Sequence, residues 1–227
     1  MIDKRKLIFL FCVIITILIF YIDKIRYGTR KIVTTHPQYM MNKHILDCNT
    51  YNFYGVNKGI SSSISFWLYV KDWNYKVMEY KPIIKKGDLE IYMPPKNNFI
   101  VIDIPIVGSR KKDTISFKTI PLQKWINVAL IIENRHADLW INGKLYISKH
   151  LTNLPDLKNN KKVICADMNG FDGYISRITT WTYVISKSII ERVFKTGPVD
   201  KSFLTKLKGI FNKILNKLQR DKIQCER

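Results

Sequence analysis

Carboxylates and cysteines are both scarce in this sequence, and each shortage narrows what it can do. Its 227 residues hold 18 Asp and Glu against 38 Lys and Arg, a formal net charge of +20. Such a balance favours anionic partners: nucleic acid, phospholipid headgroups, sulfated or sialylated glycans. The lysines are spread along the chain and no recognised nucleic-acid motif is present, so a nucleic-acid partner is not expected. Four cysteines are too few for a disulfide scaffold, and none forms a Cys-x-x-Cys pair or stands with histidines at zinc-finger spacing, which excludes that kind of structural zinc site. The histidines, His36, His44, His136 and His150, fall in connector and turn contexts and read as surface residues. The chain has no Asn-x-Ser/Thr sequon, which disfavours a glycosylated life in the secretory pathway. Gly-x-Ser-x-Gly, a phosphate-cradling glycine loop and His-Glu-x-x-His are also missing, leaving no hydrolase, nucleotide or zinc-protease motif.

What is present divides the chain into five stretches. Residues 1–6 are a basic lead, and residues 7–22 (LIFLFCVIITILIFYI) are apolar apart from Thr16. Sixteen residues of helix span about 24 Å against a hydrocarbon core of about 30 Å, and snorkelling by Lys6 and Lys24 covers the difference. Tyr21-Ile22-Asp23-Lys24-Ile25 offers no small-residue cleavage site, so a transmembrane signal anchor is expected rather than a cleaved signal peptide. That implies a single-pass membrane protein, in a viral envelope or a host membrane. Lys4, Arg5 and Lys6 are matched by Lys24, Arg26, Arg30 and Lys31 beyond the run, so charge does not set the orientation. Residues 23–37 read as a basic connector.

Residues 125–148 (WINVALIIENRHADLWINGKLYIS) read as three consecutive antiparallel strands. Ile126, Val128, Leu130 and Ile132 alternate with Asn127, Ala129 and Ile131, so both faces are largely apolar and the strand is central and covered. Leu139 and Ile141 then alternate with Asp138, Trp140 and Asn142, and Asn142-Gly143 closes a tight hairpin, since a type I′ turn needs positive φ at both central residues. Further strands are expected at 45–54, 64–70, 82–85, 89–93, 99–104, 115–120, 163–166 and 173–183, separated by Gly, Pro, Asn and Lys, the spacing of an all-β sandwich. Ser188-Ile189-Ile190-Glu191 has the form of a capping box and Gly197-Pro198 of a helix stop, predicting one short closing helix. In the tail, 199–227, Phe203, Leu207, Ile210, Phe211, Ile214 and Leu218 fall on one side of a helix with Lys206, Lys213, Lys217 and Arg220 on the other. This is a basic amphipathic helix for an anionic lipid surface, a partner's groove or the protein's own sandwich.

A tryptophan opening an apolar strand, followed by Trp140-Ile141-Asn142-Gly143-Lys144, resembles the laminin G-like members of the concanavalin A-like lectin/glucanase superfamily. Upstream, Ser62-Ser63-Ile64-Ser65-Phe66-Trp67-Leu68-Tyr69-Val70 and Pro82-Ile83-Ile84-Lys85-Lys86-Gly87 are similar to the family's early strands. Downstream, Phe171-Asp172-Gly173-Tyr174-Ile175-Ser176-Arg177-Ile178 and the segment 188–198 are similar to its last strand and terminal helix. The resemblance covers residues 39–198 and implies an all-β, two-sheet antiparallel jelly-roll sandwich over 38–198, flanked here by the transmembrane and amphipathic helices. It also implies non-catalytic recognition of carbohydrate or a protein surface. The glucanases of the superfamily need Glu-x-Asp-x-Glu on one strand, whereas Asp88-x-Glu90 lacks the third acid and Glu133 and Asp138 flank a turn. No enzyme is expected. Relatives hold calcium at the sandwich rim, for which the candidates are Asp72 with Asn74, and Asp167 with Asn169 and Asp172, residues that turn formation explains equally. Sugar-gripping aromatics would come from Trp67, Trp73, Tyr75, Trp140, Trp181 and Tyr183, or these pack across strands. Cys48 and Cys165 are the pair left within the domain, either bridged or two buried thiols. The competing reading is structural: a scaffold or envelope component of a large DNA virus with no glycan site.

Overall fold

The structure, a computed structural model, describes residues 11, 13–18, 30–47, 60–157 and 162–199. These form thirteen strands in two antiparallel sheets. One sheet holds β1 (Arg30–Ile32), β2 (Gln38–Tyr39), β4 (Ser61–Asp72), β9 (Trp125–Glu133), β10 (His136–Ile141), β11 (Lys144–His150) and β13 (Asp172–Trp181), in the order β1-β13-β4-β9-β10-β11 with β2 also on β13. The other holds β3 (His44–Asp47), β5 (Lys81–Lys86), β6 (Leu89–Met93), β7 (Phe99–Pro105), β8 (Lys112–Lys118) and β12 (Lys162–Cys165), in the order β3-β12-β5-β6-β7-β8.

Period-two alternation builds the core. Ile64, Phe66, Leu68 and Val70 of β4 and Ile126, Val128, Leu130 and Ile132 of β9 meet Ile91 and Met93 of β6 and Ile100, Ile102 and Ile104 of β7 in one buried cluster. Asn142 at φ 51° and Gly143 at φ 76° close the β10–β11 hairpin as the Asn-Gly pair predicts. β9 is buried from Ile126 to Ile132 because its outer face is also covered. A helix, α1 (Lys187–Thr196), lies there, and Ile131, Trp181, Ile185 and Ile190 make a second small core beneath it.

Several expectations are corrected. Among the described residues no helix is long and apolar enough to cross a membrane. The described residues of the apolar run, 11 and 13–18, are helical and exposed. The absence of such a helix among the described residues stands against the expected single-pass placement in a viral envelope or host membrane. The rest of that run, Cys48, and the tail positions Phe203, Leu207, Ile210, Phe211, Ile214 and Leu218 lie outside the described residues. The sandwich begins before residue 38, since Arg30, Lys31 and Ile32 pair with Trp181, Thr180 and Thr179. Val33 packs on the core and its amide donates to the Ile178 carbonyl at 2.7 Å. The capping box does not form. Ser186 is the N-cap, and its hydroxyl meets that of Ser188 at 2.9 Å, so neither caps the helix through its side chain.

Cys165 is a free, buried thiol, and burial pushes its pKa up to about 12. It sits opposite His44 on β3, four residues before Cys48 in the chain. A thiol so held is unreactive. Alkylating the native chain and mapping peptides by mass should leave Cys165 unmodified until the protein is unfolded; labelling at the rate of an exposed thiol would contradict its burial.

Candidate ligand-binding cleft

The two outer faces differ. On the seven-stranded sheet the expected sugar-binding aromatics are used for packing under α1. The Phe194 ring stacks on Trp67 with centroids 5.7 Å apart, and Phe194 lies 3.3 Å from where a Cβ on Gly143 would stand. Trp181 is buried, and Trp140 and Tyr183 pack against the small core it belongs to. Trp181 and Tyr183 line a recess of about 130 Å³ between β13 and α1, together with Arg177 and Arg192. Four buried atoms on this sheet have no hydrogen-bond partner: Trp67 Nε1, Trp140 Nε1, Asn127 Oδ1 and Asp138 Oδ1. Trp73 packs against the main core with the Lys81 ammonium 4.6 Å from its ring centroid, and Tyr75 has Lys76 beside it at 5.9 Å.

On the six-stranded sheet the outer face is open. Register sets Lys85 of β5, Glu90 of β6, Asp103 of β7 and Thr114 of β8 in one cross-strand row, and a cleft of about 210 Å³ lies over it. Tyr80 and Tyr92 form one wall with ring centroids 4.6 Å apart. Glu90 accepts from Lys85 at 2.7 Å and Lys112 at 3.0 Å. Partial burial pushes its carboxyl up, but those two hydrogen bonds outweigh the push and hold it below the usual range. Asp103 accepts from the Thr114 hydroxyl at 2.8 Å and from Tyr92 Oη at 3.2 Å. A carboxylate has about four acceptor sites, so Asp103 retains capacity for a ligand. Burial, then the Asp103 charge and hydrogen bond, pushes the Tyr92 phenol up to about 12. Tyr80 is raised as well, by burial first and the Glu90 charge next.

The third side of the cleft is Asp167 and Met168, on a single 3-10 turn, Asp167–Asn169. Ala166 and Met168 both sit at φ 53°, a left-handed conformation that costs non-glycine residues about 1–2 kcal/mol and persists only where the surroundings enforce it. Gly170 lets the turn pack this closely, because a Cβ there would stand 2.4 Å from the Met40 carbonyl and 2.6 Å from Ala166 Cβ. Asp167 is held by Lys43 at 2.7 Å, a hydrogen bond that keeps its carboxyl below the usual range. Lys76, in the loop between β4 and β5, donates to the Met168 carbonyl at 3.1 Å, and Val77, Met78 and Met168 are exposed. Three of the residues lining the cleft are carboxylates and one is a lysine. With Lys112 and Lys43 also bonded to those carboxylates, the cleft is close to charge-balanced in a chain of net charge +20.

The expected calcium ligands do not assemble. Asp72 Oδ1 accepts the Asn74 amide at 2.9 Å in a turn, Asp172 accepts from Tyr39 Oη at 2.9 Å, and Asp167 is paired with Lys43. Asn169 is the last residue of the 3-10 turn. Asp172 and Asp72 are cross-strand partners, but among the described residues no three His, Cys, Asp or Glu side chains converge on a point where an ion could sit.

The Laminin_G_3 family model, described as the concanavalin A-like lectin/glucanases superfamily, matches residues 49–191. Similar solved structures are binding domains of neurotoxins. The receptor binding domain of botulinum neurotoxin D is 18% identical with TM-score 0.59, covering 73% of this chain and 47% of that one. The serotype D ligand binding domain in complex with N-acetylneuraminic acid is 18% identical with TM-score 0.56, covering 73% and 45%. The binding domain of botulinum neurotoxin DC in complex with rat synaptotagmin II is 20% identical with TM-score 0.55, covering 68% and 40%. The chain thus spans less than half the length of these structures, and the likeness is one of fold. No curated protein matches the sequence.

Proposed function

Because the chain belongs to the concanavalin A-like lectin/glucanases superfamily, we propose that it is a non-catalytic recognition domain that binds carbohydrate in the cleft over the six-stranded sheet. The observation that carries this reading is the cleft itself. The Tyr80 and Tyr92 rings stand beside Glu90, Asp103 and Asp167, an apolar face to stack on and acceptors for sugar hydroxyls. The neurotoxin domains of the same fold include one in complex with a sialic acid, which makes a sugar a reasonable first ligand.

Glu90 and Asp103 are cross-strand partners, close enough to suggest a glycosidase pair. A general acid there needs a carboxyl held protonated, whereas Glu90 is clamped by two lysines and held below the usual range. The pair is better suited to accepting hydrogen bonds. The lysines around the cleft are already paired with its carboxylates, which favours neutral or amino-bearing sugars over sulfated ones. A glycan array probed with the full chain, with calcium and with chelator, should give salt-resistant binding to neutral or amino sugars. Binding confined to sulfated sugars and lost as salt rises would report the bulk positive charge instead.

A protein ligand is the second reading, favoured by one observation. Met168 of the cleft wall is 73% exposed, and Met78, two residues after the Lys76 that bonds the Met168 carbonyl, is 64% exposed, an adaptable apolar surface.

A further inference from the structure

His136 and His150 are fourteen residues apart, and neither lies in a motif. The β10–β11 hairpin brings them face to face. Its inner pairs are Ile141 with Lys144 and Trp140 with Leu145; the register then shifts by one, so that Leu139 meets Ile147 and His136 meets His150. Without that bulge His136 would stand opposite Lys149, and His150 would point to the other side of the sheet. The two rings are 4.8 Å apart at an interplanar angle of 62°, with His150 Nδ1 3.3 Å from His136 Nε2, and both residues are exposed.

That separation is at the long end of a hydrogen bond between ring nitrogens. It matches another geometry: two imidazole nitrogens at about 2.0–2.1 Å from a tetrahedral zinc ion lie about 3.3–3.4 Å from each other. We propose that His136 and His150 form a surface site for a single zinc-class transition-metal ion, ligated through Nε2 and Nδ1. Water completes the coordination, and Glu133 adds a negative charge next to the pair. Glu133 is exposed and is the cross-strand partner of His136 on β9, so all three residues stand in one row across the sheet edge.

The charged neighbours are compatible with a cation. Lys149 is turned away, donating to the Thr114 carbonyl at 2.9 Å, and Arg135 is committed to the Leu151 and Thr152 carbonyls at 3.4 and 2.6 Å. Asp138 lies two residues along the same face of β10 and carries a buried oxygen without a partner, an acceptor of the kind that orients metal-bound imidazoles through their second nitrogen. Borderline-soft nitrogen ligands favour zinc, copper or nickel over calcium and magnesium, so the site differs in kind from the rim calcium expected from the resemblance.

The test is a calorimetric titration of zinc chloride into the untagged full chain, alongside His136→Ala and His150→Ala, with nitrogen-15 spectra of the histidine rings. Losing even an outer-sphere partner costs about 10–100-fold in metal affinity, so each variant should bind at least about tenfold more weakly. The ring signals of His136 and His150 should shift on zinc addition while those of His36 and His44 do not, and calcium or magnesium should move none of them. Zinc affinity unchanged in both variants, or wild-type His136 and His150 rings unmoved at saturating zinc, would overturn the proposal. The ring spectra are read on the wild-type chain and decide the matter even where a variant fails to fold.

Discussion

Replacing Gly173 by Ala is expected to cost about 3 kcal/mol or more and to lower the thermal midpoint by about 6–12 °C. The added Cβ would stand 2.1 Å from the Tyr69 carbonyl oxygen and 2.6 Å from the Phe171 ring. The first contact is backbone, so relief requires β4 and β13 to move apart at the point where their register shifts and β2 joins them. Gly108 is the comparison. It sits at φ 74° with nothing within 4 Å of an added Cβ, so Gly108→Ala carries only the conformational penalty of about 1–2 kcal/mol. Thermal melts of the two variants separate close approach from backbone conformation; equal midpoints would show that the β4–β13 contact is looser than described.

Replacing Trp181 by Ala should cost about 3–5 kcal/mol, the range for emptying a large buried aromatic site. Among the described residues Trp181 is the largest wholly buried side chain and the centre of the small core that seats α1, with Ile131, Ile185 and Ile190 around it. Two outcomes are expected together. The midpoint falls, and amide hydrogens of Lys187–Thr196 lose exchange protection before those of β9 do, because the helix has no side-chain cap of its own and depends on this cluster for docking. Retained protection of the helix in a destabilised variant would mean that the Phe194 stack on Trp67 holds it alone.

The sandwich was readable because its strands announce themselves. β9 and the Asn142-Gly143 hairpin stand where alternation and turn chemistry place them, and the strands from β4 to β13 fall close to their expected bounds. β1 escaped because three residues, Arg30–Ile32, are too few for a period to show and its basic residues read as a connector. The candidate site was hardly legible. None of the six aromatics named from sequence lines the open cleft, since position on a strand says which residues share a face but not which face a later helix will cover. A weaker signal was available: Glu90 and Tyr92 alternate with Leu89, Ile91 and Met93, and Asp103 interrupts an apolar strand. A charge in such a strand marks its solvent side, though only the β6–β7 register shows that Glu90 and Asp103 meet. The histidine pair was hidden for the same kind of reason, because a single bulge in β11 decides whether His150 shares a face with His136.

The most direct test of the recognition reading is the affinity of Tyr92→Ala, relative to wild type, for the best sugar found on the array, with Trp140→Phe as the control on the opposite sheet. Aromatic side chains at the centre of a binding site typically contribute about 2 kcal/mol or more, so the cleft predicts at least a tenfold loss for Tyr92→Ala, about 1.4 kcal/mol, and wild-type affinity for Trp140→Phe. Unchanged binding by Tyr92→Ala together with a loss in Trp140→Phe would contradict it and move the site to the face that α1 covers.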